Sequence, residues 1–348
     1  MRSNINSNLF FYLGILILSS LASCQNSKKI YLELEETIKY GPDTCYARGI
    51  SIFNETIFTA NSNGMVYSYN LKNKKVNVLI SAENSKKMVE LRDIFILDSN
   101  KILALQSNEQ SGIYQINNKT INSWIPDSTF FDAFDFQTNG KGLLLADPKN
   151  DYLQVYLTSN FGENWTKIKQ KELRVTPGEA AFAASGSVVQ ILNDSTYFIA
   201  TGGMNSRILK TKNSGETWNS YDVPFANNES SGIFSMHFWD EKNGVCVGGN
   251  YTKPNDSIGT CFITNDGGET WIKPTKSPSG YRSCVIRANN MLFACGTNGI
   301  DYSSDNGLIW HKLSEKNTFA LLYFENKLFA TSLKGEILVF KVQKKPTK

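Results

Sequence analysis

Arg48, Arg92, Asp132, Ser185 and Arg282 stand at matching points of a repeating pattern, each where a new unit of that pattern begins. An arginine fork pairs with a carboxylate or a similar oxygen pair through parallel charged hydrogen bonds, so a ring of such positions is equipped to hold an anionic or polar partner. Asp147, Glu179, Arg207, Tyr251, Tyr281, Asp301 and Tyr302 fall in adjoining turns or strand ends and extend the polar set. The same residue types support a second arrangement, in which Arg–Asp and Arg–Glu pairs lock neighbouring units and satisfy one another without a ligand. Catalysis would need Asp132, Asp147, Glu179, Tyr251 or Asp301 to converge on one substrate atom, and no residue is assigned a catalytic role.

Cofactor chemistry has no signature. Gly248-Gly249-Asn250 and Gly296-Thr297-Asn298-Gly299 lack the following helix of a nucleotide fingerprint and read as turns. With His237 and His311 as the two histidines of the chain and no CxxC spacing, neither a metal centre nor a haem attachment is expected. His237 follows Met236 on an apolar inner-strand pattern and reads as a structural histidine. Cys284 and Cys295, on adjacent expected strands, are the candidate disulfide.

The units are set by a loop that returns four times, ending in Trp165, Trp218, Trp271 and Trp310 at spacings of 53, 53 and 39 residues. That period suits one small sheet per unit. In Asn265-Asp266-Gly267-Gly268 short polar side chains bond to nearby backbone and glycine accepts left-handed dihedrals, as do Asp305 and Gly307 in the last copy. Each tryptophan anchors its loop between sheets. Between the loops lie short runs of strand residues, exemplified by Val285-Ile286, Met291 to Ala294, Ile300 to Tyr302 and Leu308 to Trp310. Six units of four strands follow from about Thr44 to Leu313, and a seventh has only three. Ile30 to Glu35 alternates like a strand with no unit of its own, so it supplies the missing outer strand. The expected fold is an all-β, seven-bladed β-propeller over 30–343.

The ends carry different signals. Arg2, the apolar stretch Leu9 to Leu21 and Leu21-Ala22-Ser23 before Cys24 form an export signal over 1–23, and the Leu-Ala-Ser-Cys sequence resembles the bacterial lipoprotein signal. Cys24 is then the lipidated residue, 24–29 a linker, and Gln25 favours the outer membrane, facing the periplasm or the surface. The net charge of +4 is small and the lysines are scattered, which argues against a nucleic-acid partner. Residues 344–348 read as a basic solvated tail.

The Trp-ending loops look like the Asp-box, or BNR, repeats of sialidases, with Phe161 and Asn306 as departures. The sialidase site is missing: Ser206-Arg207-Ile208-Leu209 lacks the proline of the family motif and its position before the first blade. Other stretches resemble a bacterial family of exported seven-bladed proteins related to the photosystem II assembly and stability factor, often labelled oxidoreductases. They include Leu91-Arg92-Asp93-Ile94, Phe131 to Phe134, Leu145 to Pro148, Pro177 to Gly186, Gly232 to Ser235, Gly248 to Tyr251, Tyr281-Arg282-Ser283 and Asp301-Tyr302-Ser303. That resemblance implies the fold, export and help in assembling another complex. The expected function is an envelope lipoprotein, a monomeric propeller acting as a binding or assembly scaffold for an envelope protein or a small polar or anionic ligand. The alternative is an envelope enzyme, either a glycan-acting hydrolase or an oxidoreductase.

Overall fold

The computed structural model describes residues 29–80, 90–98, 101–108, 111–117, 120–124 and 129–345. Cys24 and the export signal lie outside them. The described residues form seven antiparallel sheets arranged as the blades of a propeller and a separate two-stranded ladder, Glu179–Ala180 with Gly202–Gly203. Blade 1 begins at Ala47–Phe53, blade 2 at Leu91–Asp98, blade 3 at Phe131–Phe136, blade 4 at Val189–Ile191, blade 5 at Ile233–Phe238, blade 6 at Cys284–Ala288 and blade 7 at Leu321–Phe324. Among the described residues, no helix is long and apolar enough to cross a membrane.

The expected closure is present and longer than its sequence alternation suggested. Strand Lys29–Lys39 pairs antiparallel with Glu336–Lys345 and becomes the outer strand of blade 7. A bulge between Leu34 and Glu36 interrupts it, so the simple alternation ends at Glu35 although the strand does not. Lys344 and Lys345, expected in a solvated tail, are paired with Ile30 and Lys29.

Two other boundaries differ. Blade 5 has three full strands, and its fourth is reduced to reciprocal backbone hydrogen bonds between Ile263 and Ile272. In blade 6 the outer strand is His311–Ser314, after Trp310 rather than through it. The reason lies in the loop itself. Asp305 Oδ1 accepts from Ser303 Oγ and from Ile309 N at 2.9 Å, and Trp310 Nε1 donates to Gly307 O, so these residues are committed to the turn. The hydroxyl and amide bonds recur with Thr158 and Asn160, Thr211 and Asn213, and Thr264 and Asp266, and the indole bond recurs at Trp218 and Trp271. A hydroxyl just before each acidic or amide residue completes the motif. Trp218 and Trp310 are buried, whereas Trp165 and Trp271 are partly covered.

Side chains of the inner strands bolt successive blades together. Asp93 Oδ2 accepts from Phe134 N at 3.1 Å, Asp135 Oδ2 from Ile191 N at 2.7 Å, Gln190 Oε1 from Phe238 N at 2.8 Å and Ser235 Oγ from Val285 N at 2.9 Å. Blades 2 to 6 are thereby linked in sequence around the axis. Gly186 has φ +75 and a Cβ there would meet the Asp93 carboxylate at 2.3 Å, so a glycine is needed where the chain passes the first bolt.

Asp93 is the bolt with the clearest expected signature. Burial pushes its carboxyl up to about 8, against the pull of the Phe134 and Ile94 amides that donate to it. A carboxyl raised above its unfolded value gives stability that is complete below that unfolded value and is lost as pH rises through the folded one. Asp93→Ala strands two buried amide donors and is expected to cost about 1–3 kcal/mol per donor. The deficit should be largest near pH 4 and shrink toward pH 8, as read from urea midpoints across that range; a pH-independent deficit would refute the assignment.

Candidate functional site

Strand direction alternates within a blade, so the approaches to the inner strands and the loops between second and third strands open on one face of the ring. The Trp-ending loops, between third and fourth strands, open on the other. On the first face lies a cavity of about 480 Å³. Ligand sites of small molecules and peptide side chains have this scale.

Four β-bulges aim side chains into it. Register slips by one residue at Arg48 in blade 1, Arg92 in blade 2, Asp132 in blade 3 and Phe234 in blade 5, and all four line the cavity. A bulged residue has no partner opposite and its side chain turns away from the regular alternation. Blade 4 solves the same problem differently: its inner strand starts late, and residues 181–184 cross the mouth before it. Their carbonyls brace the arginines. Arg92 Nη1 donates to Ala183 O at 2.7 Å and Arg48 Nη1 to Ala184 O at 3.3 Å.

Each guanidinium keeps capacity for a ligand. Arg92 also pairs with Glu90 at 2.8 Å, while the Nε atoms of both arginines are buried without a hydrogen-bond partner. Aromatic rings support them: Arg48 lies 5.4 Å from the Tyr46 ring centre and 5.5 Å from that of Phe319, and Arg92 5.7 Å from that of Phe130. Phe182 stacks on Phe234 with centroids 4.0 Å apart, and Tyr281 meets Phe234 edge-on at 4.8 Å. Tyr251 lines the rim with half of its surface exposed.

Opposite charge shares the cavity. Asp132 is 1% exposed, and its Oδ2 has no hydrogen-bond partner. Burial and the neighbouring Asp147 raise its carboxyl well above the usual range, with Arg92 opposing them. Asp147, also in the lining and half-buried, is raised to about 6 by desolvation.

The remaining expected site residues lie elsewhere. Arg282 is fully buried: its Nε donates to Asp301 Oδ2 at 2.6 Å, Nη1 to Tyr281 O at 2.6 Å and to Asn298 Oδ1, and Nη2 to Asp301. Asp301 also accepts from Ser279 Oγ at 2.7 Å. This is the ligand-free network that Arg–Asp pairs can form, and Arg282 therefore leaves the mouth set. Glu179 and Arg207 make a second such pair at 2.7 Å, with Thr201 and Thr176 donating to Glu179. Tyr302 packs in the core between blades 6 and 7, its hydroxyl accepting from Ile30 N. Ser185 faces the central channel, bonded to Ser187 and to Ser283 O.

His237 lines that same channel, and desolvation, with Arg287 nearby, lowers it to about 4. Cys284 and Cys295, the candidate disulfide pair, are register partners with both thiols free. Among the described residues, no three His, Cys, Asp or Glu converge as a metal site.

Sequence reading missed Glu90, Tyr46 and the phenylalanines of the wall. Phe234 was within reach, because Ile233-Phe234-Ser235 occupies the register of Leu91-Arg92-Asp93, but a search for polar types passes over it.

Comparison with known proteins supports the fold. The Sortilin-Vps10 family model (Sortilin, neurotensin receptor 3) matches residues 153–290. The sequence has no match among curated proteins. Similar solved structures include YCF48 bound to D1 peptide, with 14% identity, TM-score 0.59, and coverage of 92% of this chain and 99% of the other. The WD40 β-propeller domain of Doa1 has 10% identity and TM-score 0.63, covering 90% of this chain and 97% of its own. The computationally designed Ika8 protein has 9% identity and TM-score 0.56, covering 88% and 100%. At these identities the likeness is one of architecture.

Proposed function

We propose that this propeller is a lipid-anchored envelope scaffold that holds a carboxylate-bearing segment of a protein partner in its mouth. The observation that carries the reading is the convergence of Arg48 and Arg92 on one cavity, each braced by a backbone carbonyl and each with an unpartnered Nε. Charged hydrogen bonds to an acid are worth most where water is displaced, and an acid seated against these rings displaces it. YCF48, of similar architecture, was solved with a peptide bound, which is consistent with a peptide as the occupant. The lipoprotein-like sequence ending at Cys24 supports the anchor, and the resemblance to assembly factors supports a role in building another complex.

The test is affinity capture from native envelopes with the intact protein and with an Arg48→Ala/Arg92→Ala form. A mouth-bound partner should fall at least tenfold in yield, the size of one lost charged hydrogen bond. Equal recovery of the same partners would end the proposal. Cys24→Ala should release the chain from the membrane fraction, and its retention there would remove the anchor.

The hydrolytic alternative draws on one feature, that Asp132 and Asp147 line the same cavity as a glycosidase carboxyl pair must. It stands only if a glycan is cleaved by the native protein and not by Asp147→Asn.

A further inference from the structure

The arginines account for half of the charge in the mouth. Asp132 and Asp147 share the same lining and, among the described residues, neither forms an ion pair. Arg92 is not in contact with Asp132: its Nη1 and Nη2 each donate one hydrogen bond, to Ala183 O and to Glu90. A buried carboxylate oxygen without a donor is costly, and Asp132 Oδ2 is one. A purely anionic ligand would add negative charge beside this carboxyl pair and leave its buried oxygen without a donor. A ligand that also carries a cation supplies the missing donor and cancels the charge. The walls suit such a group: Phe130, Phe182, Phe234 and Tyr281 offer faces for an aliphatic stem and for cation–π contact.

Resting on the reading of the mouth as a peptide site, we infer that it has a second subsite of opposite sign at Asp132 and Asp147, and that the bound segment presents a lysine or arginine within a residue or two of its carboxylate. The arginines take the acid and the aspartates take the base. A cavity of about 480 Å³ has room for both side chains of one short segment. Charge pairing of both signs also rejects segments that carry one sign alone, because the unmatched pair is left desolvated.

Three fluorescent, acetylated and amidated hexapeptides test it by polarisation: Gly-Gly-Lys-Glu-Gly-Gly, the same with norleucine for lysine, and the same with glutamine for glutamate. Native protein should bind the first at least tenfold more tightly than either of the others, one charged hydrogen bond each. Asp147→Asn, at a half-buried position and so least disturbing to the fold, should erase the lysine-over-norleucine preference and keep the glutamate-over-glutamine one. Asp132→Asn should do the same, and Arg48→Ala/Arg92→Ala the reverse. If native protein binds the lysine and norleucine peptides equally while still preferring glutamate, the acidic subsite is refuted and the mouth reading survives. If none of the three binds across the millimolar range, both fall.

Discussion

Arg282→Ala is expected to cost about 3–5 kcal/mol, because it leaves the Asp301 carboxylate buried without its cation. Asp301 is completely covered and reaches no solvent that could replace the guanidinium. Arg282 also ties Tyr281 O and Asn298, which in turn donates to Pro254 O, so its loss loosens the loop between the second and third strands of blade 5. The check is a denaturation midpoint for the single variant and for Arg282→Met/Asp301→Leu. The double change removes both charges and replaces them with apolar volume, an exchange that is often neutral, so most of the lost stability should return. A single-variant loss within about 1 kcal/mol, the size of an exposed pair, would show that the network is not desolvated in solution.

Removal of residues 29–39 should have the largest effect of all, loss of the folded ring. That strand holds the outer edge of blade 7 over ten paired positions and buries Ile30 and Ile38. Each buried isoleucine is worth about 1.5–3 kcal/mol and each hydrogen bond about 0.5–1.5 kcal/mol net. Together these rival the whole stability of a typical domain, about 5–15 kcal/mol. It would also bare the edge of Glu336–Lys345, an invitation to pairing between copies. Protein beginning at Tyr40 is therefore expected to aggregate or to lose cooperative unfolding, and a synthetic 29–39 peptide added in trans should restore a sharp transition. A monomeric truncated protein with an unchanged midpoint would refute this account of closure.

The propeller was legible because its signals are local and repeated. Trp-ending loops fix the period, and a three-strand remainder at one end matches an orphan strand at the other. Strand ends were less legible where a tertiary bond overrides the local pattern, as at Leu308 to Trp310, which the Asp305 turn holds out of the sheet. The mouth was half legible. Counting from each unit start found Arg48, Arg92 and Asp132, yet the same counting put Arg282 and Ser185 beside them. Those two differ because blade 6 enters its first strand in regular register, Cys284 opposite Cys295, and blade 4 enters its own late. Whether a position carries a bulge depends on pairing with the next strand, which residue type alone does not reveal. The Asp132–Asp147 pairing was hidden for a related reason: it depends on how deeply both sink, a property of the closed ring.

The bulges also bear on how this surface could be rewritten. Positions 48, 92, 132 and 234 sit outside the alternation that sorts neighbouring side chains between core and solvent. An arginine, an aspartate and a phenylalanine already occupy equivalent places on one backbone plan. Exchanging residue types at positions 48 and 92, which are only partly buried, leaves strand register untouched, whereas Asp132 and Phe234 are buried; specificity can drift, or be engineered, at the arginines with least penalty to folding. The ring thus behaves as a fixed chassis with interchangeable fittings at its opening.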